Sequence, residues 1–380
     1  MDFSALNEYL GTLAGSRGLA GFDCMVRVGG KEVFRRMEGF ADREAGRPIA
    51  ADTIYRMFSM TKPITCTAAL QLYERGKFLM TDPVADYLPE FREMSVRTTE
   101  NGRTTVRPAK RPITIQNLFT MSAGLTYDLQ SPSLQELYRR SGMNYTTREF
   151  VRALAGEPLI YDPGEHWAYS LAHDVLAALI EELSGLPFEE YLRRNLFEPL
   201  GMRDAHFFVP PEKMNRVAYR YACACGKEPV REAYENPYQA SPHYRAGGAG
   251  LSCTLDDYAR FADALCRGGR CEETGARILG SATVRLMRTN HLSEQQMRDF
   301  TWIQYAGYGY GLGVRTMAAR EKGGCLGGLG EFGWGGAAGT YALIDPEYDL
   351  VMLFGQQSTP AGEDFIQPRI RNILYRCLED

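Results

Sequence analysis

Two strand-forming regions sit at opposite ends of this 380-residue chain, with a long helix-patterned stretch between them. Near the N-terminus, the β-prone runs Phe22–Val28 and Lys31–Arg36 flank Gly29-Gly30, the pattern of a hairpin. Near the C-terminus, Tyr310–Arg315, Gly339–Ile344 and Leu350–Phe354 are strand-like runs separated by turn residues. A lone hairpin is marginal in water, so strands this far apart in sequence are most simply joined in one sheet. The pattern predicts an α+β fold: an antiparallel sheet built from both chain ends and flanked by helices, plus an inserted, mainly helical lobe. The expected division is 1–58 with 246–380 for the sheet domain and 59–245 for the lobe. A ligand site is expected in the cleft between them.

Helical periodicity supports this layout. Phe3, Leu6, Leu10 and Leu13 share a face near the start of the chain, and Ile366, Ile370, Ile373, Leu374 and Cys377 do so at its end. Between them, helices are predicted from Ser59 to Gly76, from Leu171 to Gly185, from Phe188 to Leu196 and from Leu255 to Leu265. Residues 95–112 read as an exposed polar excursion and 222–248 as irregular.

Composition removes several function classes. The net charge is −4 and no long basic run occurs, which argues against a nucleic-acid or anionic-membrane partner. No apolar stretch reaches 18 residues, and the first residues carry no export signal. A cytoplasmic location is therefore expected, with nine free cysteines. Cys223 and Cys225 lack the paired spacing of a zinc site, and the five histidines form no metal-binding pattern. Neither metal nor cofactor is expected. The run Gly328–Gly333 fits GxGxxG but leads into a strand-like run instead of a helix, which disfavours a dinucleotide site.

The chemistry-bearing motif is Ser59-Met60-Thr61-Lys62. On a helix start, positions i and i+3 share a face, so the amine of Lys62 can take the proton of the Ser59 hydroxyl. Alone the motif is weak: 15 Ser and 7 Lys in 380 residues supply about 0.3 such matches by chance. Its weight comes from two later segments, Trp167-Ala168-Tyr169-Ser170-Leu171 and Gly333-Trp334-Gly335-Gly336-Ala337. In order and separation the three resemble the serine β-lactamase and penicillin-binding superfamily, most closely its class C-like branch and the family VIII carboxylesterases. The stretches Asn117–Leu125, Pro163-Gly164-Glu165, Glu198–Met202 and Gly247–Leu251 add to the resemblance, which runs from about residue 20 to the C-terminus.

The resemblance implies Ser59 as nucleophile, Lys62 and Tyr169 as general base and acid, and the backbone N–H groups of Ser59 and Ala337 as an oxyanion hole. It leaves open which of Lys62 and Tyr169 is the first base. A free lysine titrates near 10.4, so a neutral Lys62 at pH 7 requires its pKa to fall by roughly 3 units. Trp334, Gly335, Gly336, Leu171 and Tyr127 are the expected substrate contacts. Two departures bear on substrate. Where β-lactamases carry Lys-Thr-Gly, which helps hold a carboxylate, this chain has Trp334-Gly335-Gly336. Where they carry the Asn of Tyr-x-Asn, it has Leu171. Both changes favour neutral esters over charged amides. The expected function is thus hydrolysis of short or medium acyl esters through an acyl-Ser59 intermediate, with a small-molecule ester as partner. The alternatives are acyl transfer on the same site and β-lactam or D-amino-acid peptide hydrolysis. A non-catalytic scaffold is disfavoured because Ser59, Lys62 and Tyr169 are all present.

Overall fold

The computed structural model describes residues 1–100, 102–233 and 236–379. Eight antiparallel strands form the main sheet. Their spatial order is Tyr308–Tyr310, Arg315–Met317, Phe332–Gly333, Tyr341–Asp345, Leu350–Gln356, Gly21–Val28, Lys31–Asp42 and Arg47–Pro48. The two chain ends meet in its interior, where Gly21–Val28 pairs with Leu350–Gln356 in a register that sets Cys24 opposite Phe354 and Met25 opposite Leu353. Alternation along the strands divides the apolar groups between two faces. Phe22, Cys24, Val26, Met352 and Phe354 meet Leu6, Leu10, Ile370 and Leu374 of the terminal helices Ser4–Gly11 and Ile366–Glu379. Met25 and Leu353 point the other way, into the core that contains Leu255, Phe261 and Leu265 of the helix Leu255–Cys266.

The central helices are as patterned. Thr61–Glu74 is buried along almost its whole length and packs against Ala172–Ser184. The latter ends at Gly185, whose φ of 69° is the left-handed cap that glycine adopts without strain. No described helix is long and apolar enough to cross a membrane.

Three local readings are corrected. Tyr310–Arg315 is not one strand. Tyr308–Tyr310 and Arg315–Met317 are separate strands joined by a turn, because Gly313 adopts a φ of 83° there. A Cβ on Gly313 would lie 2.3 Å from Cys66 Sγ, so this turn presses directly on the Thr61–Glu74 helix. The polar stretch from 95 holds a hairpin, Ser95–Glu100 with Arg103–Pro108. Cross-strand threonine hydroxyls pair on it (Thr98 to Thr105, 3.0 Å; Thr99 to Thr104, 3.1 Å), and Val96 is buried. Threonine and valine suit a strand whatever the charge around them. Finally, the predicted helix Phe188–Leu196 is α-helical only to Leu192 and continues as a π turn over Arg193–Phe197.

Candidate active site

Ser59 lies where the chain passes from the short strand Tyr55–Arg56 into a 3-10 turn, Phe58–Met60, that feeds the Thr61–Glu74 helix. Phe58 has a φ of 46°, a strained value for a bulky residue and of the kind that collects at functional sites. The strain is held in place. Thr61 Oγ1 donates to the Phe58 carbonyl (2.6 Å) and accepts from the Leu251 N–H (3.0 Å), while the Met57 N–H donates to the Leu251 carbonyl (2.8 Å). The i, i+3 spacing then does what it predicts: Lys62 Nζ stands 3.2 Å from Ser59 Oγ. The Ser59 N–H sits in the first turn, where backbone donors lack intrahelical partners.

Lys62 is fully buried, and its ammonium also donates to the Gly248 carbonyl (2.8 Å). Burial lowers its pKa to about 7, against the opposing pull of the Asp174 carboxylate. Asp174 is itself buried and accepts from Tyr244 Oη (2.7 Å). Gly248 lets the two charged groups approach: a Cβ there would lie 2.9 Å from Asp174 Oδ2 and 3.4 Å from Lys62 Nζ. Burial raises the pKa of Asp174, while the bond from Tyr244 and the charge of Lys62 hold it down. Replacing Asp174 with Asn removes a charge that favours the ammonium and keeps the acceptor for Tyr244. The Lys62 pKa should therefore fall further, and the acidic limb of the kcat/KM profile should move to lower pH. A pH–rate series on Asp174→Asn checks this, and an unmoved or alkaline-shifted limb contradicts it.

Tyr169 comes from the segment before the Ala172–Ser184 helix, and its phenol hydrogen-bonds to the Ser59 side chain. Burial raises its pKa, so the phenol keeps its proton at neutral pH. Its oxygen also accepts from Trp334 Nε1 (3.2 Å), and Lys62 Nζ lies 4.4 Å from the ring centre. Tyr127 stacks on Tyr169 at 5.4 Å with the rings nearly parallel. Trp334 is only 2% exposed, so it is chiefly a core aromatic. Its polar edge, however, reaches Tyr169.

Gly335 and Gly336 continue from Trp334 past the nucleophile turn. A Cβ on Gly336 would lie 2.1 Å from Thr340 Oγ1 and 2.3 Å from the Met57 carbonyl, so only glycine fits there. Thr340 Oγ1 donates to that same Met57 carbonyl (3.1 Å), tying this segment to the Ser59 turn. Ala337 is exposed, and among the described residues its N–H has no hydrogen-bond partner. Leu171 is placed differently from expectation. It is fully buried at the N-terminal end of the Ala172–Ser184 helix, its N–H donating to the Thr126 carbonyl (3.0 Å), and it has no exposed surface for a substrate to touch.

Asp174 escaped the sequence reading, as did the place of Gly248 and Tyr244 around it and Lys62, although Gly248 belongs to the matched Gly247–Leu251 stretch. The available signal was a His173-Asp174 pair inside an otherwise apolar helix face. His173 is buried too, which lowers its pKa to about 3 and keeps it neutral, with Cys66 Sγ 3.6 Å from its Nε2.

Comparisons with known proteins identify the family and the fold. The Beta-lactamase family model matches residues 6–374. Protein Rv1367c of Mycobacterium tuberculosis is 33% identical over 329 residues, covering 85% of this chain and 82% of that protein. Esterase EstB of Burkholderia gladioli is 34% identical over 273 residues, 66% of each chain. Among solved structures, EstCE1, described as a hydrolase with promiscuous acyltransferase activity, superposes with a TM-score of 0.79 at 24% identity, covering 99% of this chain and 97% of that one. The chain belongs to the Beta-lactamase family, a fold family of serine hydrolases that includes esterases.

Proposed function

We propose that this chain is a serine carboxylesterase that hydrolyses short and medium acyl esters through an acyl-Ser59 intermediate. The observation that carries the reading is the 3.2 Å contact between Ser59 Oγ and a buried Lys62 whose pKa of about 7 leaves much of it as free amine at neutral pH. The Tyr169 phenol, raised by burial, is a poor first base and a good proton donor. Lys62 would accept the Ser59 proton as Oγ attacks the ester carbonyl. The Ser59 and Ala337 N–H groups would receive the oxyanion. As the tetrahedral adduct collapses, Tyr169 would give its proton to the leaving alkoxide and be reprotonated from Lys62. A water molecule deprotonated through the same pair would then release the acid and free Ser59.

The ester preference rests on the kinship with Esterase EstB and on the walls of the site. Trp334, at the edge of Tyr169, supplies no charge for a substrate carboxylate. Tyr127, Gly335 and Gly336 would line the acyl path. Leu171 would act from behind, by seating Tyr169. The nine free cysteines fit a reducing, cytoplasmic setting. Acyl transfer to an alcohol is the second reading, favoured by the likeness to EstCE1. It uses the same acyl-enzyme with an alcohol in place of water.

The test is turnover of p-nitrophenyl butyrate and nitrocefin by wild type and Ser59→Ala, with labelling by a fluorophosphonate. Ester turnover should exceed nitrocefin turnover, and Ser59→Ala should lose it by about 10³-fold or more along with the label. Full ester turnover in Ser59→Ala overturns the proposal. Added acceptor alcohols that divert the butyryl group would favour the transferase reading.

A further inference from the structure

One polar group beside the site is left over by this mechanism. Glu363 lies in the loop before the C-terminal helix, partly exposed, and accepts from Gln304 Nε2 (3.3 Å). Gln304 belongs to the short turn Ile303–Tyr305, whose neighbours Trp302 and Tyr305 pack against Trp334 with ring centres 5.9 and 5.4 Å away. Trp302 also meets Tyr169 edge-on at 5.2 Å. Glu363 thus stands at the edge of the aromatic wall that borders Tyr169.

Glu363 has no ion pair among the described residues. The nearby cations are committed elsewhere. Arg315 is paired with Glu331, Arg371 donates to the Gln304 carbonyl, and Arg17 and Arg369 lie over the Phe365 ring. A partly buried carboxylate with one amide donor and no cation is an incomplete arrangement. Its field is felt across the site: burial raises the phenols of Tyr305 and Tyr169, and the Glu363 charge raises both further.

A second group points to the same place. Gln367 is 3% exposed, yet neither Oε1 nor Nε2 has a hydrogen-bond partner. A Cβ on Gly335 would stand 3.5 Å from Gln367 Nε2 and 3.5 Å from Tyr305 Oη. The unsatisfied amide therefore borders the strand segment that runs past Ser59, on the side where Tyr305 and Gln304 lie. Buried amides normally find partners, so this one has both its donor and its acceptor free for a ligand's polar atom.

We infer that the approach to Ser59 includes a subsite for an alkylammonium group of the substrate, formed by the half-buried Glu363 carboxylate and Trp302 ring, with the Gln304 amide alongside and the buried Tyr305 ring and Gln367 amide behind them. Aromatic faces and a carboxylate together are the chemistry that holds such a cation. The inference rests on the esterase reading and narrows it: the substrate class is an ester whose acyl or alcohol part carries a positive charge. A carboxylate-bearing ester is repelled by the same group.

The experiment compares butyrylcholine with its neutral carbon isostere, neohexyl butyrate, on wild type, Glu363→Gln and Glu363→Lys, each checked for an unchanged melting transition. Wild type should favour the cationic ester in kcat/KM by about tenfold or more. Glu363→Gln should reduce that ratio towards one, and Glu363→Lys should invert it. Equal turnover of the two esters by wild type, or a ratio preserved in Glu363→Gln, overturns the subsite. If neither ester is turned over, the esterase reading has failed, and binding decides the subsite separately. Calorimetry of butyrylcholine against Ser59→Ala and Ser59→Ala/Glu363→Gln should then show binding that weakens with loss of the carboxylate. Equal binding by the two variants, or no binding by either, overturns it.

Discussion

Replacing Lys62 with Met should cut kcat/KM for p-nitrophenyl butyrate by roughly 10²–10⁴-fold, the range of a lost general base, while leaving the circular dichroism spectrum unchanged. Methionine fills a buried site of similar length without a charge, so the loss should be chemical and not structural. Wild-type activity should fall as pH drops through about 7, because the ammonium that forms there cannot accept the Ser59 proton. That limb should vanish from the residual activity of Lys62→Met. The same group shapes stability. Its folded pKa lies below the ordinary lysine value of 10.5, so between about 7 and that value the unfolded chain binds more protons than the folded one. The Lys62 contribution to stability therefore rises with pH across this window and falls as pH drops towards 7. A Lys62→Met variant with near-wild-type turnover would assign the first base to Tyr169 instead.

The largest effect on stability should come from a buried ion pair behind the site. Arg315 and Glu331 are both completely buried, with Arg315 Nη2 2.9 Å from Glu331 Oε1. Arg315 also donates to the Ala342 carbonyl (3.1 Å) and Tyr341 Oη (2.6 Å), and Tyr308 Oη donates to Glu331. Removing one partner of such a pair strands the other charge in a low-dielectric interior. Glu331→Leu should cost about 3–5 kcal/mol in urea unfolding. The double variant Arg315→Met/Glu331→Leu should recover most of that loss, since no charge is then left unpaired. A Glu331→Leu variant within about 1 kcal/mol of wild type, by contrast, would mean that the stranded Arg315 is compensated by other groups.

The parts of the molecule legible in the sequence are those where neighbours in sequence are neighbours in space. The hairpin across Gly29-Gly30, the amphipathic terminal helices and the Ser59-to-Lys62 contact all depend on short-range geometry. The Tyr310–Arg315 run misled because β-prone residues read as one strand, while Gly313 is shaped by its approach to Cys66, far away in the chain. Residues 95–112 misled in the opposite sense: their charge and polarity obscured a strand alternation that ends with Val96 in the core. Leu171 was legible as a departure from the β-lactamase pattern, and it shares an apolar periodicity with Val175, Leu176 and Leu179; its burial follows that periodicity, whereas the expected substrate contact rested on the resemblance alone.

The sequence by itself determined the order of the elements, the i, i+3 placement of hydroxyl and amine, and the family to which the three motifs belong. Tertiary structure alone decided how acidic Lys62 becomes, that Asp174 and Gly248 stand beside it, and that Trp334 meets Tyr169 through its indole N–H. It also decided that Glu363 borders the aromatic wall from the far end of the chain. The division has a simple cause. Backbone periodicity and helix spacing are set by bonds between consecutive residues, whereas a pKa is set by burial and by charges within a few ångströms, and those groups come from segments more than 100 residues apart in sequence.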